Sequence, residues 1–250
     1  MSDDTAAHAI DLQKVTLVHN GRQILNNLSL QIPTGVTVGL IGPNGAGKTT
    51  TFRILTGLIG SFKGDVQVLG YALPSQANSV RQRIGTVPEQ DGLYDDMRVI
   101  DMLLHAARLQ WPQDRHWQYA RTETVLREFD VWERRKDWCG TLSTGLRRRV
   151  AIARSILHEP PLLLFDEVTN GLDIMSRNTF YEWLSKYQLS NSQNTIIFAT
   201  HNSAEAARLC NFFIVLNEGQ QLFCGSRAHF VGEEANADVL ERRFLELLQP

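Results

Sequence analysis

The chain has 250 residues, of which 43% are hydrophobic, ample for a packed core and against disorder. Lysine and arginine number 25 against 27 aspartates and glutamates, a formal charge of -2, so no strong overall field draws the chain to an anionic surface, and no nucleic-acid partner is expected. The 3 cysteines (Cys139, Cys210, Cys224) form no C-x-x-C pair, which excludes a disulfide framework or structural zinc and predicts core thiols in a reducing compartment.

The first 20 residues carry Asp3, Asp4 and Asp11 and lack a basic start with an apolar block, so no secretory leader is expected. Val36 to Ile41, Val66 to Leu69, Leu162 to Phe165, Thr195 to Ala199 and Phe212 to Leu216 read as strands. They alternate with longer helical patterns, the rhythm of an α/β domain with a largely parallel sheet. The longest apolar stretches fall far below the roughly 18 residues that span a bilayer. From about Pro88 to Cys139 the alternation breaks, and the pattern there predicts an inserted helical lobe holding Trp111, Trp117, Trp132 and Trp138. Such a cluster is either the lobe's core or, where exposed, a docking surface.

Ser143 caps a predicted helix whose apolar positions Leu146, Val150, Ala153 and Leu157 fall at i, i+4, i+7 and i+11. Another helix carries Phe180, Trp183, Leu184 and Tyr187 on one face, and Asn236 to Leu248 reads as an amphipathic helix. Of two basic runs, Glu133 to Lys136 reads as a charged turn and Arg147 to Arg149 as the solvated face of the helix capped by Ser143.

After the run Val36 to Ile41 comes GPNGAGKTT: Gly42, Pro43, Asn44, Gly45, Ala46, Gly47, Lys48, Thr49, Thr50. It satisfies G-x-x-x-x-G-K-[ST] in a strand, glycine loop, helix context. Triphosphate oxygens need closely approaching donors, and glycines let backbone N–H groups turn inward at a helix N-terminus, whose dipole favours negative charge. Lys48 would reach the outer phosphates, and the Thr49 hydroxyl suits Mg²⁺, a hard cation that prefers oxygen ligands. Downstream, PLLLFDE (Pro161 to Glu167) ends an apolar run in two acids at the carboxyl end of a strand, where open α/β sheets place ligands. Asp166 suits Mg²⁺, directly or through water, and Glu167 suits polarisation of an attacking water.

Leu142 to Leu146 reads LSTGL, Glu167 is followed by VTNGLD (Val168 to Asp173), and Thr200-His201 lies beyond the next strand. With the glycine loop and the acid pair, these motifs resemble the ATP-binding cassette ATPases, over about Ile10 to Gly225. The resemblance implies an α/β fold: a P-loop NTPase core with a largely parallel sheet, an antiparallel β part near the N-terminus and an inserted helical lobe. It implies one cassette domain over 1–250, with a nucleotide-binding core at about 10–87 and 160–225, the lobe at about 88–159 and a C-terminal helix at about 236–248.

In that family two cassettes close head to tail on two ATP molecules, each held between one subunit's glycine loop and the other's signature. The resemblance therefore implies ATP and Mg²⁺ as cofactors and a second cassette subunit, identical or different, as partner. It also implies a membrane-spanning permease and a cytoplasmic, peripheral location at the inner face of the membrane. Ser143, Thr144 and Gly145 would contact nucleotide across the dimer, Asp173 would sit in the loop joining the two sites, and His201 would be the switch histidine. The signature has Thr144 where the common form has Gly and Leu146 where it has Gln, and Val168 stands where Pro is usual. The position that normally carries a Mg²⁺-sensing Gln holds Glu89, with Gln90 beside it, and either side chain could act on Mg²⁺ or the lytic water. The aromatic that normally stacks on adenine falls at His19, 23 residues before Gly42. The stretches GLYDDM (Gly92 to Met97) and LSTGL resemble exporter cassettes. A cassette that regulates a membrane complex without moving solute, and a soluble cassette of DNA repair or translation, are the alternative readings.

Overall fold

The computed structural model describes residues 8–232 and 236–248; Asp3 and Asp4 lie outside the described residues. Strands β1 (His8–His19) and β2 (Arg22–Pro33) form a hairpin. Asn20 and Gly21, at φ of 50° and 75°, make its turn, the Asn-Gly pair that a two-residue connection favours because both positions need positive φ. Strand β3 (Thr37–Ile41) leads to helix α1 (Lys48–Leu55), and β4 (Lys63–Val68) and β5 (Tyr71–Leu73) precede α2 (Ala77–Arg81). Then come β6 (Ile84–Val87), α3 (Val99–Gln110), α4 (Arg115–Glu128), α5 (Thr144–Ser155), β7 (Leu162–Asp166) and α6 (Ile174–Ser190). The chain continues through β8 (Thr195–Ala199), α7 (Ser203–Leu209), β9 (Phe212–Asn217), β10 (Gln220–Ser226), α8 (Arg227–Val231) and α9 (Ala237–Leu248).

These elements divide into two compact units, one of the described residues up to Arg83 together with those from Ser192 onward, the other Ile84–Asn191. The first holds an antiparallel sheet ordered β2-β1-β4-β5. In the same unit β3 runs parallel to both β8 and β9, and β10 returns antiparallel on β9. Every residue of β3 and β8 is buried, as expected of parallel strands covered on both faces, which read as continuous apolar runs.

The second unit pairs β6 with β7 in parallel, from Ile84 opposite Leu162 to Val87 opposite Phe165. Around them lie helices whose buried positions follow the helical repeat, such as Val99, Met102, Leu103 and Ala107 on α3. Asp114 caps α4 by accepting the Trp117 N–H at 2.8 Å, and the Ser143 hydroxyl caps α5 from the Leu146 N–H at 3.4 Å. The expected faces of α6 and α9 are present, with Phe180, Leu184 and Leu240 buried.

Three expectations need correction. Residues 88–98 are irregular rather than helical, and the helices begin only at Val99. Cys139 and Cys210 are core thiols but Cys224 is half-buried, because β10 lies at the end of its strand group. The basic run Arg147 to Arg149 is not a solvated face: Arg148 is buried, and Arg147 and Arg149 are largely covered, for reasons that lie in the loop after β6. The tryptophans divide by environment. Trp132 is buried with the guanidinium groups of Arg135 and Arg127 at 4.4 and 4.9 Å, Trp111 and Trp117 half-bury each other, and Trp138 is exposed with Arg98 over its ring at 5.1 Å.

Candidate active site

In the first unit, buried β3 delivers the chain into the glycine loop. Gly47 adopts φ 105° as the residue before α1, a conformation that only glycine reaches without strain, and it has no side chain to cap the helix. A helix start of this kind holds anions through its backbone N–H groups and dipole. A Cβ on Gly42 would lie 2.4 Å from the Leu216 carbonyl oxygen, so the loop backbone packs where no side chain fits. The Lys48 ammonium donates to the carbonyls of Gly42 at 2.6 Å and Pro43 at 3.1 Å, and the Thr51 hydroxyl donates to Gly47 at 2.9 Å. Pro43, Asn44 and Gly45 are exposed, while Thr49 and Thr50 are half-buried.

His201 follows β8 and is exposed, and the residues on either side of it are tightly held. Thr200 donates its N–H to Leu40 of β3 at 3.4 Å and its hydroxyl to the buried Glu205 carboxylate at 3.0 Å. Asn202 donates its N–H to the Thr200 hydroxyl oxygen and caps α7 by accepting the Glu205 N–H, each at 3.1 Å. A cavity of about 380 Å³ is lined jointly by Gly42, Pro43, Asn44 and His201 and by Phe244 and Leu245 of α9. The structure thus brings the predicted histidine to the start of the glycine loop.

His19 ends β1 opposite Arg22 and is exposed. Its hairpin is joined to the glycine loop through the β9–β10 turn: Asn26 donates to the Gly219 carbonyl at 2.9 Å, and the Gly219 N–H donates to Ala46 at 3.1 Å. Gly219 has φ 74°, and a Cβ there would fall 2.2 Å from the Ile24 carbonyl oxygen.

In the second unit, β7 ends on buried Asp166, and Glu167 turns the chain at φ 51° with its carboxylate accepting from the Asn170 amide at 3.3 Å. Asp173 caps α6 by accepting the Ser176 N–H at 2.7 Å, and that hydrogen bond holds its carboxyl below the usual range. Ser143 and Thr144 are exposed and Gly145 is half-buried. A Cβ on Gly145 would sit 3.1 Å from the Gly171 carbonyl, and one on Gly171 2.8 Å from the Thr144 methyl, so the LSTGL turn packs directly on the loop preceding Asp173.

Glu89 and Gln90 are exposed, on a loop fastened by α5. Arg148 donates to the carbonyls of Pro88 and Glu89, both at 2.8 Å. Burial lowers its basicity, opposed by the carboxylates of Asp91, Asp166, Glu89 and Glu167. Arg147 pairs with Asp91 at 2.8 Å and Asp95 at 2.6 Å; burial disfavours the Asp91 carboxylate, yet its bonds to Arg147 keep the pKa below the usual value. The irregular loop offers carbonyls and carboxylates that need donors, which is why these arginines turn inward.

Arg148, Glu205 and Gly219 are the residues that the sequence reading overlooked. A signal existed for Arg148, which precedes buried Ala151, Ile152 and Ser155 by three, four and seven positions on the same helix face.

A glycine loop between a buried strand and a helix, with its lysine folded back on the loop, defines a P-loop nucleoside triphosphatase. The family model described as ABC transporter matches residues 25–170. The Nod factor export ATP-binding protein I of Cupriavidus metallidurans is 36% identical over 233 residues, covering 93% of this chain and 76% of that protein. The ABC transporter ATP-binding protein NatA of Bacillus subtilis is 36% identical over 216 residues, 86% of this chain and 87% of its own length. A solved structure of the ATP binding subunit of an ABC transporter matches with a TM-score of 0.85 and 26% identity, covering 96% of this chain and 100% of that one. The chain belongs to the ABC transporter family, as an ATP-binding cassette whose ATPase activity is coupled to transport. Among the described residues no helix is long and apolar enough to cross a membrane.

Proposed function

We propose that two cassettes, each a single domain, close head to tail on MgATP and drive a separate membrane-spanning permease in the direction of export, from the cytoplasmic face. The observation that carries the direction is the 36% identity, over 93% of this chain, to a protein named for Nod factor export. The exporter-like GLYDDM and LSTGL stretches support the same reading.

In this reading the glycine-loop N–H groups and Lys48 bind the triphosphate, and His19 stacks on adenine. The backbone packing at Gly42 and the left-handed Gly47 fit such a cradle. Thr49 would offer Mg²⁺ a hydroxyl and Asp166 a carboxylate, the hard oxygen donors that this cation prefers. When bound, the metal neutralises charge on the transferring phosphoryl group. Glu167 accepts a proton from the attacking water, and Glu89 or Gln90 orients it. His201 contacts the terminal phosphate, and Ser143, Thr144 and Gly145 reach the nucleotide of the partner cassette. Asp173 lies in the loop joining the sites.

Glu167→Gln keeps shape but removes the base, so it should bind ATP and accumulate as a slowly hydrolysing dimer on size exclusion, whereas Lys48→Ala should lose binding itself. Inside-out vesicles with the co-expressed permease should accumulate solute only with ATP. Wild-type turnover in Glu167→Gln refutes the base, and ATP-driven efflux from those vesicles refutes export.

A further inference from the structure

Three arginines of α5 converge on the loop after β6. Arg148 is 6% exposed and its two terminal nitrogens engage consecutive carbonyls, those of Pro88 and Glu89. Arg147 adds a bidentate pair to Asp91, a bond to Asp95 and one to the Cys139 carbonyl at 2.8 Å. Arg154 donates to the carbonyls of Gly92 at 2.7 Å and Asp91 at 3.1 Å. A planar guanidinium with fixed donors holds two acceptors in one geometry, which an ammonium on a flexible stem cannot do. Without the donors of buried Arg148, the helix would no longer hold the Pro88 and Glu89 carbonyls, each now bound at 2.8 Å, so these bonds make loop and helix start shift together.

The first turn of α5 is the signature, Ser143 to Gly145, and the fastened loop carries Glu89 and Gln90. Resting on the head-to-tail reading above, these two ends serve different ATP molecules, the partner's at the signature and the chain's own at the loop. We propose that Arg148 is a positioning residue that couples the two: nucleotide held at the signature by the partner sets the Glu89–Gln90 loop for hydrolysis at the chain's own site. Arg148 touches neither nucleotide; it carries displacement of the helix start to the loop backbone.

The test is ATP hydrolysis by the purified chain against ATP concentration, with binding of a fluorescent ATP analogue measured separately. Wild type should be cooperative in ATP. Arg148→Met, similar in length and without donors, should bind the analogue within about twofold of wild type, lose about tenfold in kcat and fall to a Hill coefficient of about 1, the scale of an ordinary coupling factor. Arg148→Lys keeps the charge but not the fork and should also lose cooperativity, and it decides the matter if the Met variant does not fold. Wild-type kcat and Hill coefficient in a folded Arg148 variant overturn the proposal, as does a non-cooperative wild type. Glu167→Gln is assayed in parallel: full activity there refutes the assignment of the base and leaves the Arg148 comparison standing.

Discussion

The Thr200 hydroxyl donates to the Glu205 carboxylate at 3.0 Å, with the two residues only 2% and 5% exposed, on either side of the exposed His201 in the chain. A buried pair of this kind fixes the backbone on which the histidine is carried. Removing the acceptor leaves the Thr200 hydroxyl proton without its partner while its oxygen still accepts from Asn202, so Glu205→Ala should cost roughly 1–3 kcal/mol of stability. It should also lower kcat more than it raises KM. Glu205→Gln keeps an acceptor oxygen and should recover most of both. Denaturant unfolding and steady-state ATPase assays measure the two effects, and a fully active, fully stable Glu205→Ala would show that His201 needs no such anchor.

His19 is exposed at the end of a hairpin joined to Ala46 through Gly219. If its ring stacks on adenine, His19→Ala should lose roughly 1–3 kcal/mol of binding, several-fold to about a hundredfold in affinity, and His19→Tyr should restore it. Gly219→Ala should weaken ATP binding too, because a Cβ there meets the Ile24 carbonyl at 2.2 Å and pushes the hairpin from the loop. Fluorescent-nucleotide titration at fixed Mg²⁺ gives the affinities. Unchanged binding in His19→Ala assigns adenine to other residues.

The lobe's tryptophans differ in how available they are for a permease contact. Trp138 is 47% exposed and Tyr94 60%, whereas the Trp111 and Trp117 rings lie with centroids 3.7 Å apart. Exposed aromatics anchor interfaces once desolvated. Trp138→Glu should therefore leave the unfolding midpoint nearly unchanged and abolish co-purification with the permease, while Trp111→Glu and Trp117→Glu should lower the midpoint. Retained co-purification of Trp138→Glu would move the docking surface elsewhere.

His158 supplies a pH dependence of stability. Burial pushes its imidazole below the ordinary 6.5, the hydrogen bond to the Ile84 carbonyl at 3.1 Å opposes this in part, and Arg121 adds to the depression. The unfolded chain therefore binds the proton more tightly than the folded one. Stability from this group is complete above about pH 6.5 and is lost as pH falls toward and through the lowered folded value. His158→Gln should show a smaller loss of unfolding midpoint between about pH 7.5 and 5.5 than wild type. Equal losses in the two proteins would remove His158 from the account.

Local chemistry made much of this molecule readable in one dimension. The glycine loop, the Asp166-Glu167 pair at a strand end, the Ser143 cap and the apolar runs of β3, β7 and β8 depend on residues within a few positions of each other, where turn geometry, helical period and strand burial act directly. The same locality explains the Asn20-Gly21 turn, a hairpin signal present in the sequence and passed over. What the chain order left undecided were choices between water and a distant partner. Arg147 and Arg148 have the composition of a solvated helix face, and they are covered because Asp91, Asp95 and the carbonyls of Pro88 and Glu89, more than 50 residues earlier, come to meet them. Four tryptophans of one lobe divided into buried, half-buried and exposed by the same rule. A guanidinium or an indole carries both an apolar body and polar edges, so its own free energy barely distinguishes core from surface, and the tertiary neighbours that satisfy those edges make the choice.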